Sequence, residues 1–369
     1  MAFDYQARID TLLSKVDSDV IAIVPGANMV YFTGLHFHLS ERPTLALLSK
    51  EGVSFIIPEL ELSKLSHRPE LDARPFAWSD ATGYKGAFKE AVQELKLDGN
   101  ATLAADGQTM RLFEWLSFSA AGVDVDNAQD VGIDLLNVRA IKTPEEIEAM
   151  REANQISEKA LQRVLDWVEV GMTEQQIAQK LEAEMNALGG EGLAFGSLVL
   201  TGEKSALPHG GTGTRQLQEN EFLLFDFGAK KNDYPADITR TFCLGTPTPE
   251  MQKIYDAVRR ANEAAHKIAK PGVSCHDVDK AARDVIEDAG YGKYFTHRLG
   301  HGLGLSGHEL PNIAPNNHRK LEVNMVFTIE PGVYVPEIGG VRIEDDVVVT
   351  ENGIESLTIY PRELSDGVS

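Results

Sequence analysis

The sequence predicts an α+β chain of two domains, a small α/β domain over residues 1–136 and a duplicated α+β domain over residues 137–369. Three observations carry that expectation. A chain of 369 residues exceeds what one typical core organises. Short apolar runs alternate with helical spacing in its first third. A glycine-bounded helix pattern then occurs twice in the remainder, 101 residues apart.

In the first domain, residues 19–24, 29–33, 44–49 and 53–58 read as strands, the last two joined by a Glu51-Gly52 turn. Residues 83–97 and 107–118 have helical spacing, with a further strand at 101–105 between them. No catalytic constellation is visible there. The composition changes over Asn137–Lys142, and the boundary is placed before Thr143. Thr143-Pro144-Glu145-Glu146 is a capping-box start with proline at the first helical position. Ile147, Met150, Ala153, Leu161, Val164, Leu165 and Val168 continue an apolar stripe over about six turns.

The repeat is read from Gly171-Met172-Thr173, Ile177 and Gly189 against Gly272-Val273-Ser274, Val278 and Gly290. In each copy a long helix precedes the first glycine, a capped helix follows, and strands come next. Two similar halves packed face to face create one cleft, a usual place for a ligand site.

Composition narrows the function. A hydrophobic share of 43% with 25% charged residues is ordinary for a globular chain. The net charge of −21 argues against nucleic acid or an anionic membrane as partner, and its bland reading is solubility. Cys243 and Cys275 are the only cysteines, too few for a disulfide framework or a cysteine zinc site. Residues 1–8 lack the apolar core of a signal peptide, and no run approaches the ~18 residues that span a membrane. A cytoplasmic location is expected.

The chemistry concentrates in the second domain. Phe222–Gly228 and Ala236–Phe242 read as strands joined by the polar turn Lys230-Lys231-Asn232-Asp233, a hairpin able to set Asp226 beside Asp237. An acid inside an apolar strand costs several kcal/mol unless it is paired or metal-bound. Glu330 repeats the anomaly in residues 325–332, and Glu344 does so in residues 341–348. Arg342 shares a strand face with Glu344, at roughly 7 Å; Asp346, nearer the strand's end, is left outside the site. Any one such acid could be a salt bridge or a cap, but four in one domain favour a metal.

His297 and His301 stand four apart in the glycine-rich Thr296–Gly304, His308 follows, and His209 lies in Leu207-Pro208-His209-Gly210-Gly211. His36, His67, His266, His276 and His318 are read as surface or satisfied core residues. The glycine run lacks a following Gly-Lys-Ser/Thr, and no serine sits in a Gly-x-Ser-x-Gly elbow, so phosphate cradle and serine triad are rejected. One histidine with four carboxylates suits Mn²⁺ first, then Co²⁺ or Zn²⁺. Two ions roughly 3.5–4 Å apart would use all five donors.

At this point the sequence resembles the pita-bread metallopeptidases, which include aminopeptidase P, prolidase, methionine aminopeptidase and creatinase. The resemblance spans about Thr143–Thr358 and rests on Asp226, Asp237, His301, Glu330 and Glu344, in the family's order and spacing. Val30-Tyr31-Phe32-Thr33-Gly34 is similar to the creatinase-type N-terminal domain. It implies that Asp226 binds one metal, His301 and Glu330 the other, and that Asp237 and Glu344 bridge both. Glu330 is then the general base and proton shuttle, with His209, His297 and His308 on the substrate and tetrahedral intermediate. Tyr334 and Arg342 match the proline-specific branch, which implies a peptide substrate with proline second. Residues 36–42 resemble a loop that reaches the partner subunit's site in small bacterial prolidases, which implies a homodimer. Arg42 then reads either as an anchor for a dipeptide's carboxylate or as a surface arginine.

The expected activity is hydrolysis of the Xaa-Pro bond at a peptide N-terminus, aminopeptidase P-like, with a dipeptide-only prolidase as the alternative. A non-catalytic peptide-binding scaffold is the remote rival, disfavoured by the intact ligand set.

Overall fold

The computed structural model describes residues 3–98 and 101–365, so Met1 and Ala2 of the N-terminal reading lie outside the described residues. The chain forms two compact units, Met1–Arg139 and Ala140–Ser369. No described helix is long and apolar enough to cross a membrane.

The first unit is a mixed sheet carrying helices. Its strands are β1 (Val20–Ile23), β2 (Leu45–Ser49), β3 (Gly52–Pro58), β4 (Arg74–Trp78), β5 (Leu103–Ala105) and β6 (Gln129–Asp130), in the order β4-β3-β2-β1-β5-β6. Its helices are α1 (Tyr5–Lys15), α2 (Ala27–Thr33), α3 (Lys85–Glu94), α4 (Leu112–Ala121) and α5 (Gly132–Ala140). Every residue of β1 and β2 is buried, so their apolar runs are continuous rather than alternating.

One expectation is overturned here. Residues 29–33 form most of α2, not a strand. A short apolar run is ambiguous by periodicity alone, and what decides it is the end of the segment. Gly34 closes the helix in the left-handed conformation at φ 65°, while the Thr33 hydroxyl donates back to the Met29 carbonyl at 2.6 Å. β4, unread in the sequence, carries Pro75, which its place at the sheet edge accommodates.

The second unit is built twice. The first half has α6 (Pro144–Leu165), α7 (Glu174–Ala187) and the sheet β11-β8-β7, from β7 (Leu198–Thr201), β8 (Phe222–Phe227) and β11 (Ile238–Cys243). Between β8 and β11 lies the small hairpin β9 (Lys230–Lys231) and β10 (Tyr234–Pro235). The second half has α8 (Pro249–Ile268), α9 (Cys275–Asp288) and a five-stranded sheet, β13-β12-β14-β17-β18. These strands are β12 (Gly300–Gly302), β13 (Glu309–Ile313), β14 (Val326–Ile329), β17 (Asp345–Val349) and β18 (Ile354–Ser356). A separate hairpin pairs β15 (Gly332–Val335) with β16 (Gly339–Arg342).

The repeat seen in the sequence is a repeat of backbone bonds. Gly171 and Gly272 have φ of 92° and 84°, and Gly189 and Gly290 have 94° and 86°. The Gly171 N–H donates to Leu217 O at 2.8 Å and the Gly272 N–H to Leu321 O at 2.9 Å. Leu217 and Leu321 return the bond to Met172 and Val273, both at 2.9 Å. Thr173 and Ser274 then cap α7 and α9. Each helix pair buries its apolar face on its own sheet, giving two cores. Leu161, Ile177, Leu181 and Phe225 belong to one, and Ile254, Val278, Phe327 and Val347 to the other.

Arg240 of β11 ties the halves together. It is 1% exposed and donates to the carbonyls of Thr239 (2.9 Å), Glu344 (2.6 Å), Tyr360 (2.7 Å) and Pro361 (3.0 Å). Its remaining bond goes to Asp345 Oδ1 at 2.7 Å. Burial alone would raise Asp345, but the charge of Arg240, with His266 and Arg362, holds it below the usual carboxylate range.

Two outcomes are expected in unfolding experiments. Nothing lies within 4 Å of a Cβ added at Gly171 or Gly272, so alanine there meets backbone strain alone. Each substitution should cost about 1–2 kcal/mol and lower the thermal midpoint by similar amounts; a loss in one half only would contradict a shared constraint. Arg240→Met should destabilise by about 3–5 kcal/mol, because it strands a buried carboxylate and four carbonyls. Chemical denaturation yielding a near-parental midpoint would mean that the other partners of the Asp345 carboxylate, Asn262 (2.9 Å), Arg362 (2.7 Å) and His266 (3.2 Å), suffice for it.

Candidate active site

The cleft of the second unit is assembled by interruptions of its strands. Asp226 lies in β8 between buried Phe225 and Phe227, paired across to Thr239 of β11. The hairpin beyond it turns through Asn232 (φ 49°) and Asp233 (φ 71°), the two positive-φ positions of a tight β-turn. Asp237 follows, one residue before β11 begins.

Here the strand expectation needs correcting. Residues 325–332 and 341–348 are not continuous strands: β14 ends at Ile329 and β15 begins at Gly332, while β16 ends at Arg342 and β17 begins at Asp345. Glu330 and Glu344 sit in those two breaks. In place of ladder partners, the Glu330 N–H donates to Leu299 O (2.9 Å) and the Glu344 N–H to Thr239 O (3.0 Å). A break frees a side chain from strand alternation, which lets an acid turn into a cleft that an apolar strand would face away from.

Asp226, Asp237, His301, Glu330 and Glu344 line one cavity of ≈ 630 Å³, together with His209, His297, His308, Tyr334 and Arg342. Ala194, Phe195, Pro208, Arg298 and Gly307 complete its wall; the sequence reading singled out none of them. Arg42 belongs to the first unit, where its guanidinium meets both oxygens of Asp80 (3.0 and 2.8 Å) and Glu41 (2.7 Å).

Ligand atoms of Asp237, His301 and Glu344 all lie within 4.8 Å of one another. His301 Nε2 is 3.3 Å from Glu330 Oε1 and 3.7 Å from Asp237 Oδ2. The His301 Nδ1 faces the Gly302 carbonyl at 3.1 Å and so carries the proton, which leaves Nε2 with its lone pair. Burial lowers His301 to about 3, keeping it neutral. Burial, and then the charges of Glu344 and Asp226, push Asp237 well above the usual carboxylate range. Burial and Glu330 do the same to Glu344, and burial raises Glu330 to about 7. These donors fit divalent metal: oxygen-rich, one neutral imidazole, and carboxylates that stay ionised together only beside concentrated positive charge.

Arg342 supplies part of that charge. Its Nη2 contacts Asp226 Oδ2, its Nη1 donates to Tyr334 Oη (2.9 Å), and its Nε donates to Thr239 Oγ1 (3.0 Å). Thr239 in turn donates to Glu344 at 2.5 Å, and Thr328 donates to Glu330 at 3.1 Å. His297 Nδ1 faces Arg298 O at 2.7 Å, and its Nε2 accepts from the Tyr334 hydroxyl at 2.9 Å. Both ring nitrogens are thus engaged, and burial lowers the ring to about 4.

Sequence reasoning missed the supporting layer. Asp346, set aside in the sequence, accepts the Asp237 N–H at 3.0 Å and Asn154 at 2.8 Å, and burial raises it to about 7. Its position two residues after Glu344 was the available signal. Thr239 and Thr328 gave none, since threonine is common in strands.

Comparison with known proteins places the chain in a family. Residues 148–351 match the model of metallopeptidase family M24, and residues 6–141 match that of the creatinase/prolidase N-terminal domain. An uncharacterized peptidase of Staphylococcus epidermidis is 36% identical over 357 residues, 96% of this chain and 99% of that one. A solved Xaa-Pro dipeptidase from Bacillus anthracis superposes with a TM-score of 0.89 at 30% identity, covering 98% of this chain and 99% of its own. A solved X-Pro aminopeptidase from Thermotoga maritima gives 0.85 at 32% identity, covering 96% and 99%. With a catalytic unit of duplicated α+β build behind a creatinase-type N-terminal domain, the chain belongs to metallopeptidase family M24.

Proposed function

We propose that this metallopeptidase hydrolyses the Xaa-Pro bond at the N-terminus of peptides, releasing the first residue in the manner of an aminopeptidase P. The observation that carries the reading is the convergence of four carboxylates and neutral His301 beside the Arg342–Tyr334–His297 chain. Two similar solved structures, an Xaa-Pro dipeptidase and an X-Pro aminopeptidase, support it.

Asp226, Asp237, His301, Glu330 and Glu344 would hold two divalent ions, manganese first and cobalt or zinc as alternatives. Such ions supply Lewis-acid polarisation and water activation at neutral pH. The side chains do the rest. Glu330, its Oε1 held by Thr328, is the general base that accepts a proton and returns it to the leaving nitrogen. Arg342 sets its guanidinium against Asp226 and orients Tyr334. His209 and His308 are assigned to the substrate. His297 orients Tyr334, and contacts substrate only by giving up one of its two bonds. A homodimer belongs to the same reading and is checked by sedimentation.

Preference for longer peptides rests on the cations. An arginine is the favoured partner for a dipeptide's terminal carboxylate. Arg42 is already neutralised by Asp80 and Glu41, Arg342 is taken by Asp226, and Arg298 donates to Asn312 at 2.5 Å. The dipeptidase alternative is favoured by the similarity to the Xaa-Pro dipeptidase of Bacillus anthracis.

Purified protein supplied with Mn²⁺ should cleave Ala-Pro-Ala, leave Ala-Ala-Ala intact, and lose activity with chelator. Cleavage of Ala-Pro alone would establish the dipeptidase, and cleavage of neither proline peptide would remove the proline-specific reading. Asp237→Ala and Glu344→Ala should each abolish turnover and reduce bound metal in elemental analysis; full activity in either would sink the two-metal assignment. Arg342→Met should lower turnover by about 10²-fold, by analogy with loss of one charge-stabilising donor, with metal content retained.

A further inference from the structure

Lys142 and Glu309 form an ion pair at 3.2 Å, and each side chain is only 1% exposed. Neither residue lines the cleft or belongs to the donor set described above. Withdrawing two charges from water is unfavourable, and apolar residues of like size would fill the space at least as well. A pair kept under those conditions calls for a task, and conformational specificity is the best-attested one.

The geometry around Glu309 indicates the task. Glu309 opens β13 and directly follows His308, which is itself exposed at the cleft, its ring centroid 4.1 Å from that of His301. The carboxylate turns back into the loop that carries His308. Oε1 accepts the Ser306 N–H at 3.0 Å, and Oε2 receives the Lys142 ammonium. Gly304 lies so close that a Cβ there would sit 2.5 Å from Oε2, so the loop folds around the carboxylate where no side chain fits. On the other side, Lys142 is fixed by its own backbone. Its N–H donates to Asn324 O at 2.9 Å, Ile141 bridges to Met325, and Thr143 caps α6. The β12–β13 register slips between His301 and Gly302, and Gly302 then pairs with Glu309. The slip loosens the ladder at the point where two histidines must be placed together.

We propose that the Lys142–Glu309 pair positions His308: Glu309 clamps the 304–308 loop from within, and Lys142 fixes the clamp to the start of α6. The proposal rests on the assignment of His308 to the substrate. Lys142 and Glu309 touch no reacting atom; they are positioning residues, and their effect passes through His308.

The test is a cycle of variants assayed on Ala-Pro-Ala with Mn²⁺. The double variant Lys142→Met/Glu309→Gln removes both charges together, avoiding a lone buried one. It should keep parental metal content and lower kcat/KM by about tenfold or more, as small misplacements of a substrate contact do. His308→Ala should show a comparable loss. Adding the double variant to His308→Ala should change kcat/KM by less than about twofold, since the second lesion acts on a group already gone. Gly304→Ala, which crowds the carboxylate while leaving the pair charged, should reproduce the loss with metal retained, and it serves if the double variant does not fold. Parental kcat/KM in the folded pair variant and in Gly304→Ala, losses that multiply with His308→Ala, or loss of metal alongside activity would each overturn the positioning role. Parental activity in His308→Ala itself would overturn the assignment beneath it, and the proposal with it.

Discussion

Four carboxylates drawn into one partly desolvated cleft repel each other, and the second unit is organised around that repulsion. Asp237 and Glu344 are 7% and 2% exposed, so solvent screens little of it. Every group around them answers the problem in some way. Arg342 sets positive charge on Asp226, and hydroxyls of Thr239 and Thr328 donate to Glu344 and Glu330. His301 stays neutral with its lone pair available. Behind them, Arg240 collects the carbonyls of Thr239 and Glu344, so the backbone carrying the acids cannot relax outward.

Much of this was legible in the sequence, and for a physical reason. Acids in apolar surroundings are costly, so Asp226, Asp237, Glu330 and Glu344 stood out against Phe, Val and Ile. Glycines that end helices are equally conspicuous, which is why the 101-residue repeat shows in the sequence itself. The family resemblance added roles that spacing alone does not supply.

The remainder was illegible because it depends on tertiary placement. Residues 29–33 have strand composition yet form α2, since the left-handed Gly34 ends the segment as a helix. Breaks at Glu330 and Glu344 look like continuous strands because apolar runs, Val326–Ile329 before the one and Val347–Val349 after the other, lie close by in sequence. Asp346 was set aside by its position along a strand, and only the fold reveals that it holds the Asp237 backbone. Thr239, Arg240 and Glu309 are ordinary residue types whose partners lie far away in sequence.

The duplication has a consequence of its own. Glu330 follows Asp226 by 104 residues and Glu344 follows Asp237 by 107, each pair standing at corresponding places of the two halves. One ααβ half therefore brings only two of the four acids. A chain of a single half could complete the set only by meeting another copy, and its assembly would weaken on dilution. Joined in one polypeptide, the halves meet at a fixed effective concentration. They are also free to differ, and they have differed: His301 and the His308 loop lie in the second half, while His209 lies in the first.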